Sequence, residues 1–254
     1  MSAAFLAFVV FVCAFGGALF GVVLQRHLPE DHRSSASQGT VTVTMGLVGS
    51  MTALVLGLVT ASAKDSYDGV DDAVRKTAVD LLVLDRTLAR YGAEAQPIRT
   101  SLKSAVAARV GEIWPTRGTS AAADSAPSTL ASLHESFADR IRDLPEDTEL
   151  RKALRTRAID LSEQLLQERW LMVSHASSPV PTAFLVILIF WLTATFGSFG
   201  LFAPRNYTVF ATLGLGAVSV SAALYLVLEL GSPFEGGIMV SGEPLQRALM
   251  LMAK

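Results

Sequence analysis

The stretch VTVTMGLVGSMTALVLGLVTASAKDSYDGVDD, from Val41 to Asp72, decides the fold of this chain. It carries no charged side chain before Lys64, so Val41–Ala63 exceeds the roughly 20 apolar residues that cross the hydrocarbon core of a bilayer. From Val70 onward, apolar residues recur at the spacing of a helix. The pattern predicts a membrane-spanning helix that continues directly into a water-exposed helix.

Three further apolar runs have the length and composition of membrane spans. The first, Ala3–Leu24, has 22 residues without a charge. It lacks the positive start and the shorter apolar core of a cleavable signal peptide, so we expect it to be retained. A polar connection, Gln25–Thr40, follows it. The other two, Val180–Ala203 and Tyr207–Leu228, are separated only by Pro204-Arg205-Asn206, which predicts a tight turn within an antiparallel hairpin.

The composition agrees with a membrane protein. Of the 254 residues, 51% are hydrophobic and 17% are charged, whereas a soluble domain carries about 25% charged residues. A net charge of -2 gives no indication of a nucleic-acid partner. The single cysteine, Cys13, lies in an apolar run and excludes both a disulfide framework and a zinc-binding spacing. We expect the lipid bilayer as a partner, and no nucleic acid, metal or cofactor.

Residues 64–179 differ in kind from the apolar runs. They hold 16 of the 21 Lys and Arg residues and 18 of the 23 Asp and Glu residues. Apolar residues recur at helical spacing in four blocks, and none of the blocks shows the two-residue alternation of a strand. The blocks begin at Val70, Ile98, Leu130 and Leu150, and they end at Gly92, before Pro115, at Pro145 and at Val173. This segment is therefore predicted to be a helical, soluble module, whose first and last helices continue directly from spans two and three.

The predicted fold is an all-α membrane protein with four transmembrane helices. Residues 1–63 form transmembrane helices one and two, 64–179 form the soluble module inserted between spans two and three, 180–230 form transmembrane helices three and four, and 231–254 form a turn and a short amphipathic C-terminal helix. Four spans place the module and both termini on one side of the membrane. Lysine and arginine residues near the spans slightly favour a cytoplasmic module.

Span two carries a face of small, weakly polar side chains. Its members follow one another at steps of four, three, four and three residues and share one side of a helix: Gly46, Ser50, Ala53, Gly57 and Thr60. Such a face allows close helix packing, or it lines a pore in a symmetric ring, and both interpretations stay open. Gly17 and Gly21 of span one form a GxxxG pair, for which packing is favoured.

Charged residues follow this face where span two leaves the membrane. They are Lys64, Asp65, Asp68 and Asp72, of which the three aspartates share one helical face. In a homo-oligomer the aspartates would form acidic rings that attract cations at a pore mouth. The alternative is a solvated helix start, where carboxylates suit the positive end of the helix dipole. That dipole effect is missing if the helix simply continues from span two.

Two classes of protein are disfavoured by what the sequence lacks. No charged residue lies at the centre of any span, whereas transporters and proton pumps usually need an ionisable group there. The chain contains no GxSxG, HExxH or phosphate-binding loop motif, and no histidine lies near a candidate nucleophile in the sequence. We therefore expect no enzymatic activity and no catalytic residues.

Several segments, taken together, resemble the bacterial bestrophin-like membrane family. They are LPEDHRSSAS (Leu28–Ser37), TALVLGLVTASAKDSYD (Thr52–Asp68), LDRTLARYGAEA (Leu84–Ala95), FWLTATFGSFGLFAPRN (Phe190–Asn206) and the tail from Leu228 to Leu249. The resemblance runs nearly end to end. It also implies a remote similarity to bestrophins, which are pentameric, mostly anion-conducting channels with four transmembrane segments, a helical cytosolic part and a pore lined by the second span.

The tail departs from the bestrophin pattern. Bestrophins have a Pro-Phe-Gly turn after the last span, whereas Pro233-Phe234 is followed here by Glu235-Gly236. Gly231 stands where relatives often have an acidic residue, and the acidic calcium-binding cluster of animal bestrophins has no counterpart. The leading hypothesis is a homo-oligomeric channel for inorganic ions, a pentamer by resemblance, with span two lining the pore. The alternative is a non-conducting membrane scaffold or signalling protein whose module binds a cytoplasmic partner.

Overall fold

Helices make up the regular structure of the described part of the chain. The computed structural model describes residues 2–29, 34–115, 137–176, 182–204, 206–234 and 236–253, with side chains in the third of these ranges described as far as residue 170. Within these ranges the helices are α1 (Ala3–Leu24), α2 (Ser35–Tyr91), α3 (Gln96–Ile113), α4 (137–142), α5 (Glu149–Ala176), α6 (Thr182–Phe202), α7 (Tyr207–Leu230) and α8 (Glu243–Met252). The described ranges contain no strand, which confirms the all-α prediction for them.

Four of these helices, α1, α2, α6 and α7, are long and apolar enough to cross a membrane. Three of them follow the predicted runs to within two residues at each end, but α2 begins at Ser35 rather than at Val41. The predicted polar connection Gln25–Thr40 was therefore too long. Its last part is helical because the Ser34 hydroxyl accepts a hydrogen bond from the Ser37 backbone N–H at 3.3 Å and satisfies a donor of the first turn.

The second span and the first module block form one helix. Helix α2 has 57 residues and is unbroken at Lys64, as the sequence pattern predicted. It ends before Gly92, whose φ of 128° lies in a region that favours glycine. The corresponding prediction for span three, that it continues the last module helix, falls on residues 177–181 and lies outside the described residues.

The chain divides into two compact units: Met1–Tyr67 with Ser178–Met239, and Asp68–Ser177 with Val240–Lys254. The core of the first unit forms where α1 packs against α6 and α7. One buried cluster joins the three helices through Val10, Leu188, Leu192 and Leu224, and a second joins them through Ala14, Ala18, Phe196 and Ala217. Partly buried side chains of α2 pack against the first cluster.

Glycines set the distance between α1 and α6. A Cβ atom added to Gly17 would lie 2.7 Å from the carbonyl oxygen of Thr193, and one added to Gly21 would lie 2.1 Å from that of Gly197. Seen from α6, a Cβ atom at Gly200 would lie 1.9 Å from the Ala18 carbonyl oxygen. The backbones therefore approach too closely for any side chain, which confirms the packing interpretation of the GxxxG pair.

In the second unit, the tail of the chain packs on α3. The indole N–H of Trp114 donates a hydrogen bond to the Val240 carbonyl at 2.8 Å. The Trp114 ring covers Gly242 so closely that a Cβ atom there would lie 2.6 Å from it. Helix α8 then buries Leu245, Ala248 and Met252 and contacts α3. The predicted amphipathic helix is thus docked through its apolar face.

Candidate functional site

The small-residue face of α2 points away from the core of the first unit. On the opposite side of the helix, Val55 and Leu56 pack against the buried cluster, and Thr52 is buried. All five predicted pore-lining residues are exposed: Gly46, Ser50, Ala53, Gly57 and Thr60. The structure therefore brings them together on one accessible surface of a single helix.

Close packing within the chain does not account for this face. A Cβ atom added to Gly46 or Gly57 would have nothing within 4 Å. The contrast with Gly17 and Gly21 is direct, because those two glycines lie against the backbone of α6. A face of several such small residues leaves room for another subunit or for an open passage.

The polar groups of the face are hydroxyls that are already paired with backbone. The Ser50 hydroxyl donates to the Gly46 carbonyl at 3.0 Å, and the Thr60 hydroxyl donates to the Leu56 carbonyl at 2.7 Å. Each hydroxyl proton is thereby used within the helix, while the oxygen lone pairs remain as acceptors. The face is therefore weakly polar and uncharged over the length of the span.

Charged side chains follow on the same helix. Lys64 and Asp65 are exposed at the end of the first unit, and Asp68 and Asp72 are exposed at the start of the second. Because α2 does not begin here, no helix N-terminus is present to account for four aspartates within eight residues. A neighbouring aspartate, Asp71, forms an ion pair with Arg75 at 2.8 Å.

A buried carboxylate at the end of α7 was not predicted from the sequence. Glu229 is 6% exposed, and its carboxylate accepts hydrogen bonds from the backbone N–H groups of Gly237 and Ile238. Gly236 has a φ of 95°, and a Cβ atom on it would lie 2.4 Å from the Glu229 carboxylate. The sequence feature that could have predicted this contact is the glycine pair Gly236-Gly237, since glycines let the backbone curve around a hydrogen-bond acceptor. The contact fixes the start of the tail against α7.

A second unpredicted cluster ties α2 to α5 within the second unit. The Glu168 carboxylate is 6% exposed, lies 2.6 Å from the Lys76 ammonium and accepts a hydrogen bond from the Thr77 hydroxyl at 3.3 Å. The pKa of the neighbouring Asp80 carboxyl is raised by burial, by its hydrogen bond with Glu168 and by the Glu168 charge, against the opposing charges of Lys76 and Arg157. The folded unit therefore favours the protonated form of Asp80.

This pair gives the second unit a pH-dependent stability. A raised pKa in the folded state contributes stability that is fully present below the ordinary aspartate pKa of about 3.9 and is lost as the pH rises through the folded pKa. Asp80→Asn, which cannot ionise, should therefore raise the unfolding temperature at pH 8, and the gain should vanish near pH 4. Thermal unfolding of the purified full chain in detergent, from pH 4 to pH 8, measures this gain in unfolding temperature.

Asp143→Asn is the matched control, because Asp143 is exposed in the same unit. Its unfolding temperature should stay close to that of the wild type at every pH in this range. A gain from Asp80→Asn that is absent at pH 8, or that has the same size at every pH, would contradict the raised pKa of Asp80.

No cluster of three or more His, Cys, Asp or Glu side chains among the described residues could hold a metal ion. A buried ion pair in the second unit joins two helices. Asp85, which is 1% exposed, is bound by both arms of the Arg99 guanidinium at 2.8 Å and 3.0 Å. This buried pair connects α2 to α3.

Comparisons with known proteins identify the fold. A crystal structure of a bacterial bestrophin homologue from Klebsiella pneumoniae, carrying a tryptophan-to-alanine mutation, matches with a TM-score of 0.70 at 14% identity and covers 100% of this chain and 99% of that chain. An isoleucine-to-threonine variant of a Klebsiella pneumoniae homologue matches with a TM-score of 0.67 at 14% identity, over 98% and 99% of the two chains. A crystal structure described only as a membrane protein also matches with a TM-score of 0.67 at 14% identity, over 97% of each chain.

The sequence comparison agrees with the structural one. No curated protein sequence matches the chain. The family model of the Bestrophin-like domain matches residues 12–245, which is most of its length. The chain therefore belongs to the bestrophin-like family and has the helical fold of the bacterial bestrophin homologues.

Proposed function

We propose that the protein is a homo-oligomeric ion channel whose pore is lined by α2 through Gly46, Ser50, Ala53, Gly57 and Thr60. The observation that carries this proposal is the exposed small-residue face, at whose two glycines an added Cβ atom would meet no described residue within 4 Å. Membership of a family known for ion channels supports it. Small side chains leave room at a ring axis, and hydroxyl and backbone oxygens offer weak ligands to an ion that has lost part of its hydration shell.

The proposal includes the arrangement in the membrane. Residues 1–63 and 180–230 supply four spans, the helical module of 64–179 lies between them on the cytoplasmic side, and 231–254 form the turn and the docked tail helix. Both termini are cytoplasmic, the membrane is a bacterial inner membrane, and the ring is a pentamer, the number suggested by resemblance to bestrophins. The continuity of α2 beyond Lys64 supports a conduit that extends past the bilayer.

A flux assay tests the proposed function. Purified full-length protein in liposomes loaded with a potassium- or chloride-sensitive dye should collapse an imposed ion gradient at a rate proportional to the protein added. Empty liposomes and liposomes with heat-denatured protein serve as controls. An oligomer that is correctly assembled and yet releases neither ion would exclude the channel and favour the scaffold.

The charged residues after the span should set the ion preference. Lys64, Asp65, Asp68 and Asp72 would lie around the cytoplasmic mouth, where rings of carboxylates concentrate cations. Asp68→Asn should lower the ratio of potassium to chloride permeability by about twofold or more, since it removes one full charge from each subunit. The reversal potential in asymmetric potassium chloride measures this ratio.

Glu163→Gln is the control for Asp68→Asn, because Glu163 is an exposed carboxylate on α5 rather than on α2. It should leave the reversal potential unchanged. If both variants behave like the wild type, the acidic rings have no role in selectivity.

The scaffold hypothesis has one observation in its favour. Leu166 and Trp170 lie one turn apart on α5 and are 38% and 67% exposed, so the module offers an apolar surface. A cytoplasmic partner or a second copy of the chain would cover such a surface. This surface does not explain the exposed small-residue face of the span, and the channel remains the better account.

A further inference from the structure

Helix α2 carries a second exposed face, made of large apolar side chains. Its members are spaced by four, four, three and four residues and are between 49% and 75% exposed: Val43, Leu47, Met51, Leu54 and Leu58. We call this face the ridge. In a helix of 3.6 residues per turn, the ridge lies roughly a quarter turn to one side of the small-residue face.

A groove lies on the other side of the small-residue face. It has a volume of about 340 Å³ and belongs wholly to the first unit, where α2, α6 and α7 meet. Its main lining residues are Val41, Thr42, Phe199, Phe202, Thr212 and Leu213. Phe199 is 52% exposed, so this apolar surface is not covered within the described chain. The groove, the small-residue face and the ridge thus follow one another around α2.

This order is the one that a closed ring requires. Subunits around an axis meet through two different surfaces, one on each side of the part that faces the axis. If the small-residue face lines a pore, the groove and the ridge are the two flanks that must be covered by protein to separate the pore from lipid. An inference about these flanks therefore rests on the proposed channel function.

The two surfaces also match in depth. Rotation about an axis along the membrane normal keeps equivalent residues at the same height, so a ridge residue meets neighbours at its own level. Val43 and Leu47 are less than two turns along α2 from the groove residues Val41 and Thr42. Both surfaces are apolar, and the ridge side chains have the size that the empty groove can accept.

We propose that the ridge of one copy packs into the groove of the next copy, with Val43 and Leu47 filling the space between Phe199 and Thr212. The contact is heterologous, so each subunit gives its ridge to one neighbour and its groove to the other. It closes the wall of the pore and fixes which face of α2 points to the axis.

Disulfide crosslinking of the full chain in membranes tests this contact. In a Cys13→Ala background, the pair Val43→Cys and Thr212→Cys should form disulfides between neighbours on oxidation and give a ladder of oligomers on a non-reducing gel. Each single-cysteine variant should give no species beyond a dimer. A second pair, Leu47→Cys with Thr42→Cys, provides the test if the first double variant fails to fold. These two cysteines lie on different sides of one helix, so they cannot form a disulfide within one chain.

The matched control replaces Thr212→Cys with Leu215→Cys. Leu215 lies about one turn farther along α7, is 69% exposed and is not part of the groove. The control pair should crosslink at least fivefold less than the pair in the groove. Equal crosslinking of both pairs, or a ladder from neither groove pair in a protein that stays oligomeric, would overturn the proposal; a lipid acyl chain in the groove would give the second result.

The outcome is separable from that of the channel proposal. Ion flux without a ladder would remove the ridge–groove contact and leave the channel intact. A full ladder from a protein without flux would keep the contact and remove the channel. The highest band of the ladder also counts the subunits.

Discussion

Gly57→Phe should reduce the single-channel conductance by about tenfold or more. Gly57 lies on the exposed small-residue face, and a Cβ atom on it would meet nothing within 4 Å of its own chain. In a ring, every subunit would place one phenyl group at the same level of the pore, so the obstruction is multiplied by the subunit number. Single-channel recording in planar bilayers measures the change.

Gly16→Phe is the control for this effect. Gly16 is also an exposed helical glycine without an atom within 4 Å of its added Cβ, but it lies on α1. It introduces the same side chain at the same cost in helix propensity, so its conductance should stay within about a factor of two of the wild type. If the two variants conduct equally, the small-residue face of α2 does not line the pore.

Gly200→Leu should cause the largest loss of stability. Its Cβ atom would lie 1.9 Å from the backbone carbonyl oxygen of Ala18, and a backbone atom cannot swing aside as a side chain can. Overpacking of a core costs about 1–3 kcal/mol and occasionally more, and a clash between two helix backbones belongs to the upper end. The α1–α6 crossing would have to separate, which exposes both buried clusters of the first unit.

Thermal unfolding of the purified protein in detergent measures this loss. Gly16→Leu adds the same side chain where nothing lies within 4 Å and should unfold near the wild-type temperature. An unfolding temperature for Gly200→Leu that equals that of Gly16→Leu would show that α1 and α6 do not cross at these glycines.

The helices were predictable because their signals are local. Length and the absence of charge located α1, α6 and α7, and Gly92 marked the end of α2. The early start of α2 was missed because a polar stretch next to an apolar run looks like a loop, although Ser34 can cap a helix there. The partners of the GxxxG pair were not predictable, since Thr193 and Gly197 lie 176 residues farther along the chain than Gly17 and Gly21.

The sequence predicted which residues form the candidate site, but it did not predict what the site does. Helical spacing alone placed the members of the small-residue face together, and both close packing and a pore need small side chains. Only the absence of neighbours within the chain separates this face from Gly17 and Gly21. The pairing of Asp80 with Glu168 is a contact between distant residues, and no local pattern reveals such a contact.

The central claim, that α2 lines an ion-conducting pore, is tested most directly by recording current from the purified wild-type protein in planar bilayers, with the oligomeric state of the same sample measured by native mass spectrometry. The account predicts discrete current steps of uniform size from a ring of identical subunits. An intact ring that carries no current in asymmetric potassium chloride, across the range of voltage and pH in which it stays assembled, would contradict it.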